Sequence, residues 1–270
     1  MKLTSTQIRS LREALKEDVG RGDITSDLLI PAKAKGMAVI VAKEAGVFAG
    51  GEIVRAIFRI ADPKVQIHFH IKDGQNFSAG KILLEVQGPV RSILKVERTL
   101  LNFLQHLCGI ATQTRAFVSK VKKYKVTVLD TRKTTPLWRG LEKAAVKAGG
   151  GHNHRMGLYD AIFVKENHRR FGNLRKLKSS SFEIEVRNVR EMMEALMLSP
   201  KVILFDNFPP EALREAVKIA RRCNSKIILE ASGGITLQNA AAYARTGVDQ
   251  ISMGSLTHSV RAIDLSLLIK

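Results

Sequence analysis

From residue 126 to residue 254 the chain repeats one pattern: a short apolar run, a polar residue that ends it, and an amphipathic stretch before the next run. The runs are VTVLD (126–130), AIFVK (161–165), FEIEV (182–186), VILFD (202–206), IILEAS (227–232) and DQISMG (249–254). Continuous apolar strands alternating with helices mean a parallel sheet with helices packed over its outer face. The spacing predicts helices at about 138–148, 189–198, 210–222 and 236–246, with Pro209 and Pro210 at a helix start, the position where proline is tolerated. Six such strands fall short of the eight of a closed β/α barrel, so an incomplete, open barrel over residues 102–261 is expected.

The first hundred residues follow a different rule. Residues 4–19 place Ile8, Leu11, Leu15 and Val19 on one helical face, with Thr4 or Ser5 as the cap. MAVIVA (37–42), VQIHFHI (65–71) and KILLEV (81–86) read as short strands punctuated by glycines, with a helix at about 51–60 carrying Ile53, Ile57 and Ile60. A long helix then runs from Arg91 to about Cys108. The expected fold class is therefore α/β: an N-terminal α+β sandwich domain over 1–101, then the open β/α barrel, with the tail 262–270 packing back on the first domain. His68 and His70 point the same way on one strand, but without a third ligand nearby they read as a surface pair, not a metal site.

Composition narrows the function. Lys plus Arg number 44 against 25 Asp plus Glu, a net charge of +19, which concentrates anions around the chain. The surplus is scattered and no nucleic-acid module is visible, so small phosphorylated or carboxylated metabolites are the expected partners, ahead of nucleic acid. The 45% hydrophobic content suits a packed protein and excludes a disordered or fibrous one. No apolar run approaches a membrane span, the first twenty residues lack the core of a secretory signal, and the two cysteines have no paired spacing. A cytoplasmic location follows as an expectation.

Residues at the carboxyl ends of barrel strands converge on one mouth. Here they are Asp130, Lys165, Glu185, Asp206, Glu230 with Ser232, and Ser252 with Gly254. Arg132 and Lys133 follow one strand end, and His154 and Arg155 follow the glycines Gly149, Gly150 and Gly151. Two arginine forks separated by a folded segment suit a planar ligand bearing two carboxylates. Opposite them, Glu185 and Asp206 are suited to Mg²⁺, to sugar hydroxyls, or to positive charge developing on carbon. EASGGIT (230–236) and ISMGSLTHS (251–259) are two turns compatible with phosphate, the first placing Ser232, Gly233 and Gly234 just before an expected helix at Thr236.

Several long motifs resemble quinolinate phosphoribosyltransferase. They are EDVGRGDITSDLL (17–29), VERTLLNFLQHLCGIAT (96–112), DTRKTTP (130–136), EKAAVKAGGGHNHRMGLYDAIFVKENH (142–168), EIEV (183–186), FDNF (205–208), EASGGI (230–235) and ISMGSLTHS (251–259), in order from Glu17 to Leu267. The phosphoribosyltransferase-like proteins of molybdenum-transport operons share that scaffold.

The resemblance implies decarboxylating transfer of a phosphoribosyl group from 5-phosphoribosyl 1-pyrophosphate to quinolinate, giving nicotinate mononucleotide, pyrophosphate and CO₂ in NAD biosynthesis. It implies that Arg132, Lys133, His154 and Arg155 hold quinolinate, and that Arg98, with Glu97, reaches into the partner's site in a homodimer or higher oligomer. Lys165, Glu185, Asp206, Ser232, Gly233, Gly234, Gly254 and His258 would hold the phosphoribosyl donor. Lys133, Glu185 and Asp206 would be catalytic, and Glu185 and Asp206 would serve Mg²⁺ directly or through water. The chain departs from the family pattern at Leu137, where glycine is usual in the segment Pro136-Leu137-Trp138-Arg139, at Glu166 for the usual Asp, and at Cys108 for Ser. Two other chemistries remain open: a Schiff-base role for Lys165 and charge-driven nucleic-acid binding.

Overall fold

The computed structural model describes residues 3–177 and 180–270. It divides into two compact units, one made of Met1–Arg115, Thr134–Gly150 and Thr257–Lys270, the other of Ala116–Lys133 and Gly151–Leu256.

The first unit opens with α1 (Ser5–Val19). Thr4 is the cap: its hydroxyl accepts from the Gln7 N–H at 3.2 Å while the Gln7 side chain accepts from the Thr4 N–H at 2.7 Å. Leu11 and Leu15 are buried, and α1 packs on α3 (Gly51–Ala61), whose Ile53, Val54, Ile57 and Phe58 are buried in turn. A four-stranded antiparallel sheet runs in the order β12-β1-β5-β3, from β1 (Lys35–Ala42), β3 (Gln66–Phe69), β5 (Ile82–Pro89) and β12 (Leu265–Ile269). Its register pairs Ala38 with Ile269 on one side and with Val86 on the other. The sequence pattern does not show α2 (Ile24–Leu29), the pair β2 (Gly46–Val47) with β4 (Asn76–Phe77), or that the tail forms the strand β12. Two-residue strands carry no periodicity.

The long helix needs correcting. Helix α4 spans Val90–Val121, well beyond Cys108. Gly109 does not break it, because the residue is glycine for a packing reason: a Cβ there would collide with the Arg261 carbonyl. Apolar residues continue the period past it, with Ile110, Phe117 and Val121 buried. The helix expected at 138–148 among the barrel helices is α5 (Arg139–Ala148), and it belongs to the first unit.

The second unit is a six-stranded parallel sheet in the order β6-β11-β10-β9-β8-β7, formed by β6 (Thr127–Leu129), β7 (Ile162–Val164), β8 (Phe182–Val186), β9 (Val202–Asp206), β10 (Ile228–Ser232) and β11 (Gln250–Ser252). The first and second strands in sequence are the two edges, so the sheet stays open, as the strand count predicts. The helices are α6 (Glu166–Phe171), α7 (Val189–Leu196), α8 (Pro210–Cys223) and α9 (Ala240–Ala244), while α10 (Ser255–His258) straddles the boundary, with Thr257 and His258 counted in the first unit. Pro210 is the first residue of α8, in the expected place. The predicted helix at 236–246 is shorter: the Thr236 N–H donates to Asn239 Oδ1 at 2.7 Å, a turn that delays α9 to Ala240. Among the described residues no helix is long and apolar enough to cross a membrane.

The strands are not apolar on both faces. In β8, Phe182, Ile184 and Val186 are buried while Glu183 and Glu185 occupy the other face. In β10, Leu229 and Ala231 alternate with Glu230 and Ser232 in the same way. The polar set of one face is where the chemistry lies.

Candidate active site

Parallel pairing brings the strand ends into register. Asp206 of β9 lies beside Ser232 of β10, and Ser232 beside Ser252 of β11. Glu185 of β8 lies beside Leu204 of β9, two residues before Asp206. The edge strand β6 gains one further partner, as the His152 N–H donates to the Val128 carbonyl at 2.8 Å and the Asp130 N–H to the His152 carbonyl at 3.2 Å. That bridge delivers His154 and Arg155 to the strand ends. The His154 N–H then donates to the buried Asp130 carboxylate at 2.9 Å, fixing the corner.

Phe163 of β7 organises the cationic side, and nothing in its apolar run singled it out. The Arg155 guanidinium lies 5.0 Å from its ring centre, the Lys165 ammonium 4.4 Å, and the His154 ring 5.7 Å. Arg155 also donates to the Ala161 carbonyl at 3.0 Å. Burial first, and then the Arg132 guanidinium beside it, pull Arg155 below the usual arginine range. The Glu183 and Asp160 carboxylates act in the opposite sense. Lys133 is exposed, its N–H donating to Thr131 Oγ1 at 3.0 Å.

Lys165 Nζ reaches Glu185 Oε2 at 2.8 Å. The Lys165 side chain is 45% exposed, and pairs of this kind contribute about 0–1 kcal/mol, so the contact is easily exchanged for a ligand. Arg187 Nε stands 3.8 Å from Asp206 Oδ2. Next to Asp206, Asn207 takes φ +58°, and its N–H donates to the Ser232 carbonyl at 2.8 Å. Gly233 has φ +91°, and a Cβ there would collide with the Asn207 side chain, so the turn requires glycine. The Ser232 hydroxyl donates to the Ser252 carbonyl at 3.3 Å, joining the two turns expected to take phosphate.

Below the strand ends lies a cluster that the sequence made legible only in part. His154 Nε2 is 2.9 Å from Glu183 Oε2 and 3.9 Å from Glu230 Oε1. Glu230 is 1% exposed, and burial, followed by the Glu183 carboxylate, pushes its carboxyl up to about 7. Glu183 shares a face with Glu185 by period two, the one signal that could have marked it.

Arg98 and His258 fall in the first unit. Arg98 is exposed on α4, and the exposed His258 ring has Nδ1 2.6 Å from Ser259 Oγ. Gly254 follows β11 in the second unit, and Gly234, with φ +60°, follows Gly233. Cys108 is a buried packing residue, its thiol pushed up to about 12 by burial, and His70 pairs with Glu85 at 3.1 Å.

Family models place the chain. The N-terminal domain of quinolinate phosphoribosyl transferase matches residues 23–108, and the C-terminal domain of the same family matches residues 110–268. The chain belongs to the quinolinate phosphoribosyltransferase family. A probable nicotinate-nucleotide pyrophosphorylase (carboxylating) from Bacillus subtilis is 42% identical, the match taking in 93% of this chain and 89% of the relative. A nicotinate-nucleotide pyrophosphorylase from Mycobacterium leprae is 38% identical over 96% of this chain and 95% of its own. Among solved structures, the nicotinate-nucleotide pyrophosphorylase of Francisella tularensis superposes with a TM-score of 0.92 at 39% identity, covering all of this chain and 98% of that one. The family fold of a small antiparallel sheet followed by a parallel one is the fold described above.

Proposed function

We propose that this family member transfers a phosphoribosyl group from 5-phosphoribosyl 1-pyrophosphate to quinolinate with loss of CO₂. The observation that carries the reading is the Phe163 cluster: Arg155, Lys165 and His154 around one ring, with Arg132 beside Arg155, faced by Glu185 and Asp206 at the neighbouring strand ends. Cations on one side and two carboxylates on the other match a dianionic acceptor and a donor carbon that becomes positive.

In the reaction the quinolinate ring nitrogen bonds to C1 of the ribose as the bond from C1 to pyrophosphate breaks. The 2-carboxylate then leaves as CO₂, and a proton takes its place on the ring. Arg132, Lys133 and Arg155 seat the two carboxylates, beside His154. Lys165 exchanges Glu185 for the phosphorylated donor, which frees Glu185 to face the ribose. With Asp206 it stabilises the positive charge on C1, an interaction that exists only in the transition state. The Ser232-Gly233-Gly234 turn, with Gly254 and His258, holds the 5-phosphate. Glu185 and Asp206 offer hard oxygen donors in the small number that Mg²⁺ uses beside water and phosphate, and the ion, when bound, offsets the pyrophosphate charge.

The enzyme acts as a cytoplasmic dimer in this reading, with Arg98 completing the partner's site. The exposed Ile24, Leu28 and Leu29 of α2 support association, since such a patch is stabilised by cover. Protein incubated with quinolinate, phosphoribosyl pyrophosphate and Mg²⁺ is expected to release CO₂ and nicotinate mononucleotide in equal amounts. Nicotinate is expected to react poorly, because it leaves a guanidinium unpaired. Equal turnover of both acids would defeat the assignment of the paired arginines.

A further inference from the structure

The floor beneath the strand ends holds more ionisable groups than a packed sheet needs. Val202, Leu204 and Ile228 lie in register around Glu183 and Glu230, so apolar residues are accommodated at this level. Two acidic side chains at such depth are costly unless well partnered, yet among the described residues Glu183 Oε1 and Glu230 Oε1 accept no hydrogen bond. What they surround is the Nε2 side of the His154 ring. On the other side, Nδ1 accepts the Arg155 N–H at 2.8 Å. An acceptor at Nδ1 requires the ring proton to sit on Nε2, and an Nε2–H facing Glu183 Oε2 at 2.9 Å is the arrangement that keeps it there. The His154 backbone N–H is held by Asp130 and the ring by its contacts at Nδ1 and Nε2, so the ring in turn fixes the Arg155 backbone.

We propose that Glu183 and Glu230 are positioning residues that act through the His154 imidazole to hold Arg155 where the acceptor's carboxylates arrive. The proposal rests on the functional reading above for the identity of that acceptor; the ring geometry stands without it. If the proton moved to Nδ1, the Arg155 N–H would lose its acceptor and face another N–H. The main chain would then turn, carrying the guanidinium off Phe163.

The test compares Glu183→Ala with Glu183→Gln, whose amide oxygen still accepts from Nε2–H. Glu183→Ala is expected to raise KM for quinolinate about tenfold or more, with KM for phosphoribosyl pyrophosphate and kcat changing much less. Glu183→Gln is expected to restore most of that loss. A merely structural role would move both KM values together and show no rescue, and that result would overturn the proposal. Long-range proton–nitrogen spectra of the wild-type enzyme, with the His154 signal identified by its loss in His154→Asn, provide a readout free of turnover. An Nε2–H tautomer supports the proposal, and an Nδ1–H tautomer or an imidazolium overturns it. Stoichiometric Zn²⁺ uptake in calorimetry, abolished by Glu230→Gln, would also overturn it by making the cluster a metal site. Absence of quinolinate turnover by the wild type would remove the functional reading alone, leaving the spectra to decide the ring geometry.

Discussion

Lys165 Nζ and Glu185 Oε2 stand 2.8 Å apart at the ends of adjacent parallel strands, a cation and an anion drawn from opposite sides of the same site. Their separation in sequence is twenty residues, and only the pairing of β7 with β8 makes them neighbours. In the proposed reaction the pair opens when the donor binds, so its two members serve different stages.

That division predicts different kinetic lesions. Glu185→Gln and Asp206→Asn should lower kcat roughly 10²-fold with a small change in KM for quinolinate, because each acts on charge that develops at C1. Steady-state kinetics on both variants checks this; near-normal turnover in both would make the acidic pair structural.

Arg98 offers a test of the shared site. Arg98→Ala and Lys133→Ala proteins should each be nearly inactive. After subunit exchange at equal mixing, about a quarter of wild-type activity should return, since half the dimers are mixed and each mixed dimer keeps one intact site. No recovery despite exchange verified by mass spectrometry would confine Arg98 to its own subunit or to no site at all.

Leu137, at the position where the resemblance implies glycine, takes a backbone conformation that suits glycine better than leucine. The residue has φ +66°, the left-handed region that disfavours a β-carbon, and its side chain is 70% exposed, so little burial compensates. Leu137→Gly should therefore stabilise the protein by about 0.5–1 kcal/mol, the relieved strain being partly offset by unfolded-chain entropy. A higher urea midpoint at unchanged slope is the expected reading; a lower midpoint would mean that the side chain contributes more than its exposure implies.

Glu230 sets a pH dependence whose sign can be worked out. Its folded carboxyl titrates near 7, above its ordinary value of 4.5. Between those values the unfolded chain has released a proton that the folded chain still holds, so this group's contribution to stability falls as pH rises through the window. Glu230→Gln lacks that dependence. Its stability relative to wild type should grow between about pH 4.5 and 7 and then level off, a change on the order of 3 kcal/mol. Denaturant titrations at pH 5 and pH 8 measure it, and an equal difference at both would show that Glu230 is ionised in the folded enzyme at the lower pH as well.

Local sequence determined the elements whose signal is periodic or chemical: the capped α1, the start of α8 at Pro210, the six parallel strands, and the polar residues that end them. These depend on neighbours a few residues apart, and the helical and strand periods record them directly. The extension of α4 past Gly109 depended on the Arg261 carbonyl, a partner no local pattern contains. Tertiary structure also decided which face of each strand meets which. Glu183 was one acid in an apolar run until strand pairing and the His152 bridge set His154 2.9 Å from it. Phe163 was one apolar residue until three cationic or imidazole groups gathered on its ring. Which residues can end a strand is a property of the residues; which of them share a proton, a charge or a ring depends on a register fixed only when the whole sheet assembles.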